Sequence, residues 1–108
     1  MKLKDPSINL VGLQVQTLFA MGVMDSVYNE VVPGKELVIT SVNDATHSVT
    51  SLHYSGNAFD CRTVAAAIWE DQAKEIVSRF KEKMGGSSDF DCILEKDHIH
   101  VEYQPKRR

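Results

Sequence analysis

The chain has 108 residues, 43% of them hydrophobic and 25% charged, with a formal net charge of −3. These values predict one globular domain over residues 1–108, and they argue against a disordered chain, a collagen-like chain and a nucleic-acid-binding surface. No stretch predicts a membrane-spanning helix, and residues 1–6 lack the apolar core of a secretory signal. We therefore expect a protein that is made in the cytoplasm without a signal peptide.

The first half of the chain predicts a helix, a strand and a loop. Apolar periodicity indicates a helix near residues 9–30, capped by Ser7 or Asn9. The apolar, β-branched run at residues 36–40 predicts a buried strand. Residues 43–57 are mostly small and polar, which indicates a long loop, and long ordered loops in compact domains are often functional.

The second half predicts a strand, a helix and a hairpin. Residues 58–61 are a short strand candidate, and the strongest amphipathic helix follows a cap at Thr63 and ends at the glycine pair 85–86. Residues 90–94 and 98–103 are typical of a hairpin. The element order predicts an α+β domain with a small, mainly antiparallel sheet and packed helices.

The two cysteines, Cys61 and Cys92, lie in predicted strands. A small buried thiol is a common core residue, and two cysteines do not make a disulfide framework. We expect two buried thiols, although a disulfide or a thiolate ligand stays open because Cys61 adjoins a candidate ligand.

Two short segments concentrate the residues that bind metals and move protons. A catalytic zinc site needs about three protein ligands and one open position for water. His53 lies in the loop and Asp60 on the strand that leaves it, and Gly56 permits the reversal that brings them together. The last strand offers His98 and His100, which share a face. A polar sheet face without any metal is the alternative interpretation.

These segments also resemble a known family. Residues 51–60 match Ser-x-His-x-x-Gly-x-Ala-x-Asp at each defined position, and residues 97–102 match an acidic residue, two others, His, then x-Glu. Both patterns are similar to motifs of the zinc D-Ala-D-Ala carboxypeptidases and dipeptidases and the L-alanyl-D-glutamate endopeptidases, which have the Hedgehog/DD-peptidase fold. The resemblance covers about residues 36–103. The Asp form of the closing motif is most similar to the phage endolysin branch.

The resemblance implies a role for each motif residue. His53, Asp60 and His100 would hold Zn²⁺, and Asp97 would be the general base. Metal binding lowers the pKa of water from 15.7 towards about 7, and a nearby carboxylate takes its proton and delivers it to the leaving amine. Strict alternation would aim Asp97 away from the His100 side, so we predict that Asp97 lies in the turn before the strand.

Other polar residues have less specific assignments. Glu102 shares a face with His100 and is expected to orient it, the alternative being a solvent-facing strand residue. Ser51 is expected to bond to the loop backbone. His47 is either a solvated loop residue or a substrate contact, and His98 is expected either near the site or exposed at the surface.

One departure from the family pattern concerns a substrate-holding arginine. Where the family often has Ser-Gly-Tyr-Arg, residues 41–44 read Ser-Val-Asn-Asp. Arg62, two residues after Asp60, replaces that cation if its side chain turns towards the site. Loss of such an electrostatic stabiliser typically costs about two to three orders of magnitude in rate.

The resemblance therefore implies a zinc-dependent peptidase that hydrolyses an amide bond of peptidoglycan stem peptides. An L-alanyl-D-glutamate endopeptidase is favoured over a D-Ala-D-Ala carboxypeptidase. Such an enzyme would be made inside a bacterial host and would reach the cell wall after release or as part of a phage particle, beside other particle proteins. A metal-binding virion protein without turnover and an α+β domain without metal stay open as alternatives.

Overall fold

The computed structural model describes residues 1–8, 10, 13–43, 57–63, 68–87 and 89–104. Within these ranges the chain forms two helices and five strands. In chain order they are β1 (Lys2–Leu3), α1 (Val15–Val31), β2 (Val38–Asn43), β3 (Ala58–Arg62), α2 (Glu70–Lys83), β4 (Phe90–Leu94) and β5 (His98–Tyr103). The predicted α+β class is confirmed. Neither of these helices is long and apolar enough to cross a membrane.

The five strands form one mixed sheet with the order β1-β2-β3-β5-β4. The β1–β2 pair is parallel, whereas β2–β3, β3–β5 and β4–β5 are antiparallel. The sheet is therefore mainly antiparallel, as predicted, and the expected hairpin of β4 and β5 is present. A parallel pair needs a long crossover, which α1 supplies between β1 and β2.

Side-chain alternation gives the sheet one apolar and one polar face. Phe59 and Cys61 of β3 and Ile99 and Val101 of β5 are at most 1% exposed and face the helices. The helices contribute several fully buried side chains to the same core: Ala20, Met21, Met24, Val27, Tyr28, Ile76 and Phe80. The opposite face carries the polar residues of β3 and β5, which positions the candidate site on the outside of the sheet.

Both helices begin later than predicted. α1 begins after Gln14, which makes no side-chain capping bond, instead of near residue 9. Ser7 does not cap it, because the Ser7 backbone N–H and hydroxyl both bond to Asp5 Oδ1 in a local turn. The other predicted cap, Asn9, lies outside the described residues. The long helix that we expected to start at residue 9 is therefore a turn followed by a shorter helix.

α2 begins after Trp69, whose backbone N–H donates to Gln72 Oε1 at 3.1 Å. The predicted cap, Thr63, instead donates its backbone N–H to the Asp97 carbonyl at 3.3 Å, beside the start of β5. The predicted end of the helix is confirmed, because Gly85 and Gly86 both have φ of +70°. Glycine adopts this left-handed conformation without a steric penalty.

The cysteines are buried and free, as expected. Burial raises the pKa of Cys92 to about 12 and raises the pKa of Cys61 well above its ordinary value. Both thiols therefore stay protonated near neutral pH, and Cys61 faces the core while Asp60 faces the other side. Cys61 therefore lies on the opposite face of the sheet from the candidate ligand Asp60.

Core packing predicts that two isoleucines on adjacent strands contribute different amounts to the free energy of unfolding. Ile99 is 0% exposed, whereas Ile93 on β4 is 49% exposed. We expect Ile99→Ala to lower the free energy of unfolding by about 2–5 kcal/mol, because it removes buried methylenes and leaves a cavity. The control Ile93→Ala removes the same β-branched side chain and should cost less than about 1 kcal/mol. Urea denaturation measures both, and equal losses would contradict the assignment of the two faces.

Candidate metal centre

Asp60 and His100 lie directly opposite each other on neighbouring antiparallel strands. The β3–β5 register pairs these two residues, and paired side chains point to the same face of a sheet. His100 Nδ1 donates a hydrogen bond to Asp60 Oδ1 at 2.7 Å. Sheet pairing thus brings together two of the three proposed ligands, which are 40 residues apart in the chain.

A bulge in β2 brings a hydroxyl to the same carboxylate. Ile39 pairs with Cys61 but Ser41 pairs with Asp60, so β2 has one extra residue at this point. Ser41 therefore lies on the polar face, and its hydroxyl donates to Asp60 Oδ2 at 2.8 Å. Ser41 was not predictable as a site residue, because a bulge has no local sequence signal in this strand. Both oxygens of the Asp60 carboxylate are thus hydrogen-bonded.

Glu102 fixes the orientation of the His100 ring. His100 Nε2 donates to Glu102 Oε1 at 3.0 Å, and the Gln104 side-chain amide donates to Glu102 Oε2. A residue that orients a ligating histidine makes this kind of contact, as predicted for Glu102. His100 therefore has a carboxylate partner at each ring nitrogen, Asp60 at Nδ1 and Glu102 at Nε2.

The paired groups shift each other's ionisation. The hydrogen bond to Asp60 raises the pKa of His100 to about 9, burial opposes this rise, and Glu102 adds to it. Burial is the largest influence on the pKa of Asp60 and raises it, but the hydrogen bonds from His100 and Ser41 outweigh burial, so that pKa lies below its ordinary value. Without metal, the pair near neutral pH is therefore a carboxylate and an imidazolium.

Asp97 lies in the bend immediately before β5, as predicted. Its side chain is 73% exposed, and Asp97 Oδ1 accepts a hydrogen bond from His98 Nδ1 at 2.7 Å. This bond lowers the pKa of Asp97. The other ring nitrogen of His98 is 3.7 Å from Asp60 Oδ1. The His98 ring therefore lies between the proposed base and the proposed metal ligand.

Asp60 separates two surface depressions on the polar face. The larger has a volume of about 480 Å³ and is lined in part by Arg62. Arg62 therefore lies at the site, as it must if it replaces the arginine of the family pattern. The described lining residues of this larger depression are Lys4, Thr40, Ser41, Asp60, Arg62, Asp97 and His98. The smaller, about 210 Å³, contains His100 and Glu102 on the other side of Asp60. Lys4 is a second cation in the larger depression and was not predicted from the sequence.

Three predicted site residues, His53, Ser51 and His47, lie outside the described residues, as does most of the predicted loop. In the ranges that are described, no group of three or more His, Cys, Asp or Glu side chains is arranged to hold a metal ion. The donors of Asp60 and His100 nevertheless fit zinc, since carboxylate oxygen and imidazole nitrogen are both zinc ligands. A catalytic zinc site needs about three protein ligands, and Asp60 and His100 would supply two of them.

No protein-family model matches the chain, and no curated protein is significantly similar to it in sequence.

The Asp60–His100 pair predicts how the stability of the metal-free protein depends on pH. The folded pKa of His100 is about 9 and its ordinary value is 6.5, so its contribution is fully present below pH 6.5 and is lost as the pH rises through 9. Asp60 has a depressed pKa, so its contribution is present above its ordinary value of 3.8 and is lost at lower pH. We expect Asp60→Asn to remove about 1 kcal/mol of stability at pH 6 but much less above pH 9.

Urea denaturation of the metal-free protein across this pH range measures the difference between wild type and variant. The control is Asp91→Asn on β4. Asp91 lies on the same face of the sheet as His100, but its carboxylate does not bond to His100. The same pH-dependent loss in both variants would show that the effect is not specific to the Asp60–His100 pair.

Proposed function

We propose that this protein is a zinc-dependent peptidase of the Hedgehog/DD-peptidase type that hydrolyses an amide bond of peptidoglycan stem peptides, with the L-alanyl-D-glutamate bond favoured. The observation that carries the proposal is the 2.7 Å contact between Asp60 Oδ1 and His100 Nδ1 on an open polar face. These are the two described residues to which the resemblance assigns zinc binding. The resemblance itself supplies the reaction class and the substrate.

His53, Asp60 and His100 would hold the ion. A zinc ion bound there would supply a Lewis acid that polarises the scissile carbonyl and makes water a nucleophile near neutral pH. Ser41 and Glu102 support the ligands, since Ser41 bonds to the second oxygen of Asp60 and Glu102 holds the far nitrogen of His100. Ligands that are oriented in this way bind metal more tightly than ligands that are free to rotate.

Asp97 would move the proton. Asp97 is ionised near neutral pH, as a carboxylate that accepts a proton from water must be, and the hydrogen bond from His98 that lowers its pKa also makes it a weaker base. It lines the same depression as Asp60, so a peptide in this depression contacts both residues. The hydrogen bond from His98 Nδ1 holds the Asp97 carboxylate at the edge of the site.

One observation favours a second candidate, a metal-binding protein without turnover. The Asp97 side chain is 73% exposed and bonds to His98, so in this arrangement it is a solvated turn residue. In this candidate function Asp60, His100 and His53 hold a structural metal, and Asp97 has no chemical step. The two functions differ in whether the protein hydrolyses peptidoglycan peptides, and only the peptidase requires Asp97.

Asp97→Asn separates these functions. If the protein is a peptidase, we expect the variant to retain zinc but to release peptides from purified peptidoglycan about 10²–10⁴-fold more slowly, because the amide does not accept a proton. Mass spectrometry of the released peptides measures the rate and identifies the new termini. The matched control is Glu95→Gln in the same turn, which should retain full activity. Activity of Asp97→Asn equal to wild type would remove Asp97 from the mechanism, and no release by zinc-loaded wild type would favour the structural function.

Zinc affinity tests the ligand assignment independently of turnover. We expect Glu102→Gln to weaken zinc binding about 10–100-fold, as loss of an outer partner does, and His100→Ala to weaken it further. The control is His98→Gln, an imidazole two residues away, which should bind zinc as wild type does. Equilibrium dialysis with elemental analysis measures all three variants. Loss of zinc from His98→Gln but not from His100→Ala would reverse the assignment.

A further inference from the structure

The outward side of α1 is apolar over its first two turns. Among the described residues six large hydrophobic side chains are exposed, and three of them are Val15, Leu18 and Phe19. Val15 is 77% exposed and Phe19 is 63% exposed. Large hydrophobic side chains that are exposed singly are normal, but a contiguous group of them marks an interaction surface. No charged residue interrupts this group, because residues 6–24 contain none.

Small residues continue the same side of α1 beyond the apolar group. With 3.6 residues per turn, Gly22 and Ser26 lie in line with Val15 and Phe19, and both are exposed. A glycine inside a helix weakens the helix relative to alanine. Nothing in the described structure requires glycine at residue 22, since an added Cβ would meet no heavy atom within 4 Å. The space above Gly22 is therefore free to receive a side chain from another molecule.

We propose that this outer face of α1, formed by Val15, Leu18, Phe19, Gly22 and Ser26, binds the same face of a second copy of the chain in an antiparallel helix pair. In a two-fold symmetric contact, residue i of one copy meets residue j of the other, and residue j meets residue i. An antiparallel pair centred between residues 20 and 21 places Phe19 of each copy on Gly22 of the other. The contact does not involve the candidate metal centre, which lies on the opposite side of the sheet.

The sizes of the side chains decide the orientation of the pair. The large side chains occupy the N-terminal half of the outer face and the small ones occupy its C-terminal half. An antiparallel pair therefore matches large residues with small ones, as close packing requires. A parallel pair would place Phe19 of one copy against Phe19 of the other and would leave a gap between the two Gly22 residues.

The charges of α1 favour the same orientation and disfavour a membrane surface as the occupant. α1 has two acidic residues, Asp25 and Glu30, in its C-terminal half and none in its first turn. An antiparallel pair places each acidic half beside the positive N-terminal end of the partner helix. Both carboxylates also pair with cations of their own chain, so this contribution is small. α1 contains no Lys or Arg that would bind anionic lipid.

The extent of the outer face sets the affinity that we expect. The 17 residues of α1 span about 25 Å, and one helix pair of this length buries roughly 800–1,200 Å² in total, at the low end of specific interfaces. We therefore expect a reversible dimer with a dissociation constant on the order of 10–100 µM. Sedimentation velocity of the full chain from about 5 to about 500 µM, with a chelator to exclude bridging metal, measures it. A wild type that stays monomeric at the highest concentration would overturn the dimer.

Exchange of the two contacting residues tests the pairing. Phe19→Ala should weaken the dimer at least about tenfold, because it removes the side chain that fills the space above Gly22. Gly22→Phe should also weaken it, because two phenylalanines then collide, although this variant adds apolar surface. The double variant with Phe19→Ala and Gly22→Phe again places a large side chain opposite a small one. Its dissociation constant should therefore lie within about threefold of that of wild type.

The matched control is Trp69→Ala, since Trp69 is an exposed aromatic residue at the start of α2. It should leave the dissociation constant unchanged, and a loss equal to that of Phe19→Ala would show only general surface hydrophobicity. Stronger association of Gly22→Phe, or no recovery in the double variant, would refute the antiparallel pairing. Phe19 is mostly exposed, so Phe19→Ala retains the fold even if Gly22→Phe does not. An unchanged dissociation constant in Phe19→Ala is then sufficient to reject the outer face as the dimer contact.

Discussion

The antiparallel register of β3 and β5 is the constraint on which the candidate site depends. It places Asp60 opposite His100, and a slip of one residue would turn one of the two side chains to the core face. Burial of Ile99 and Val101, both at most 1% exposed, resists that slip because their side chains would then enter solvent. The hydrophobic core therefore positions the polar pair on the opposite side of the sheet, although it makes no contact with a ligand there.

Two irregular features on the β1–β2 side of the sheet, a bulge and a very short strand, determine which residues meet on the polar face. The bulge in β2 turns Ser41 towards Asp60, and the two-residue strand β1 brings Lys4 to the same depression. The His100 ring is held at both nitrogens, and its raised pKa means that a proton occupies Nδ1 unless a metal ion displaces it. Proton and metal would therefore compete for one atom, which couples the proposed zinc binding to pH.

Much of the fold was predictable because its signals are local. Alternating apolar residues and a short polar turn predict the β4–β5 hairpin, and the two glycines predict the end of α2, since each feature depends on neighbours in the chain. The face shared by His100 and Glu102 follows from the period of a strand in the same way. The turn position of Asp97 was also predictable, because regular alternation leaves it no place on the His100 side. The starts of the helices were not, because α1 follows Gln14 and α2 follows Trp69, and neither residue is of a type that marks a helix start in a sequence.

The sequence by itself determined which residue types are available for chemistry and which face of each strand is apolar. Only the tertiary structure decided which of those residues meet. The contact of Asp60 with His100 depends on strand pairing, the bond from Ser41 depends on a bulge, and the place of Lys4 depends on β1, a strand too short to have a sequence pattern. The physical reason is that strand pairing and bulges arise from hydrogen bonds between distant segments, and their geometry is set by how the whole core packs.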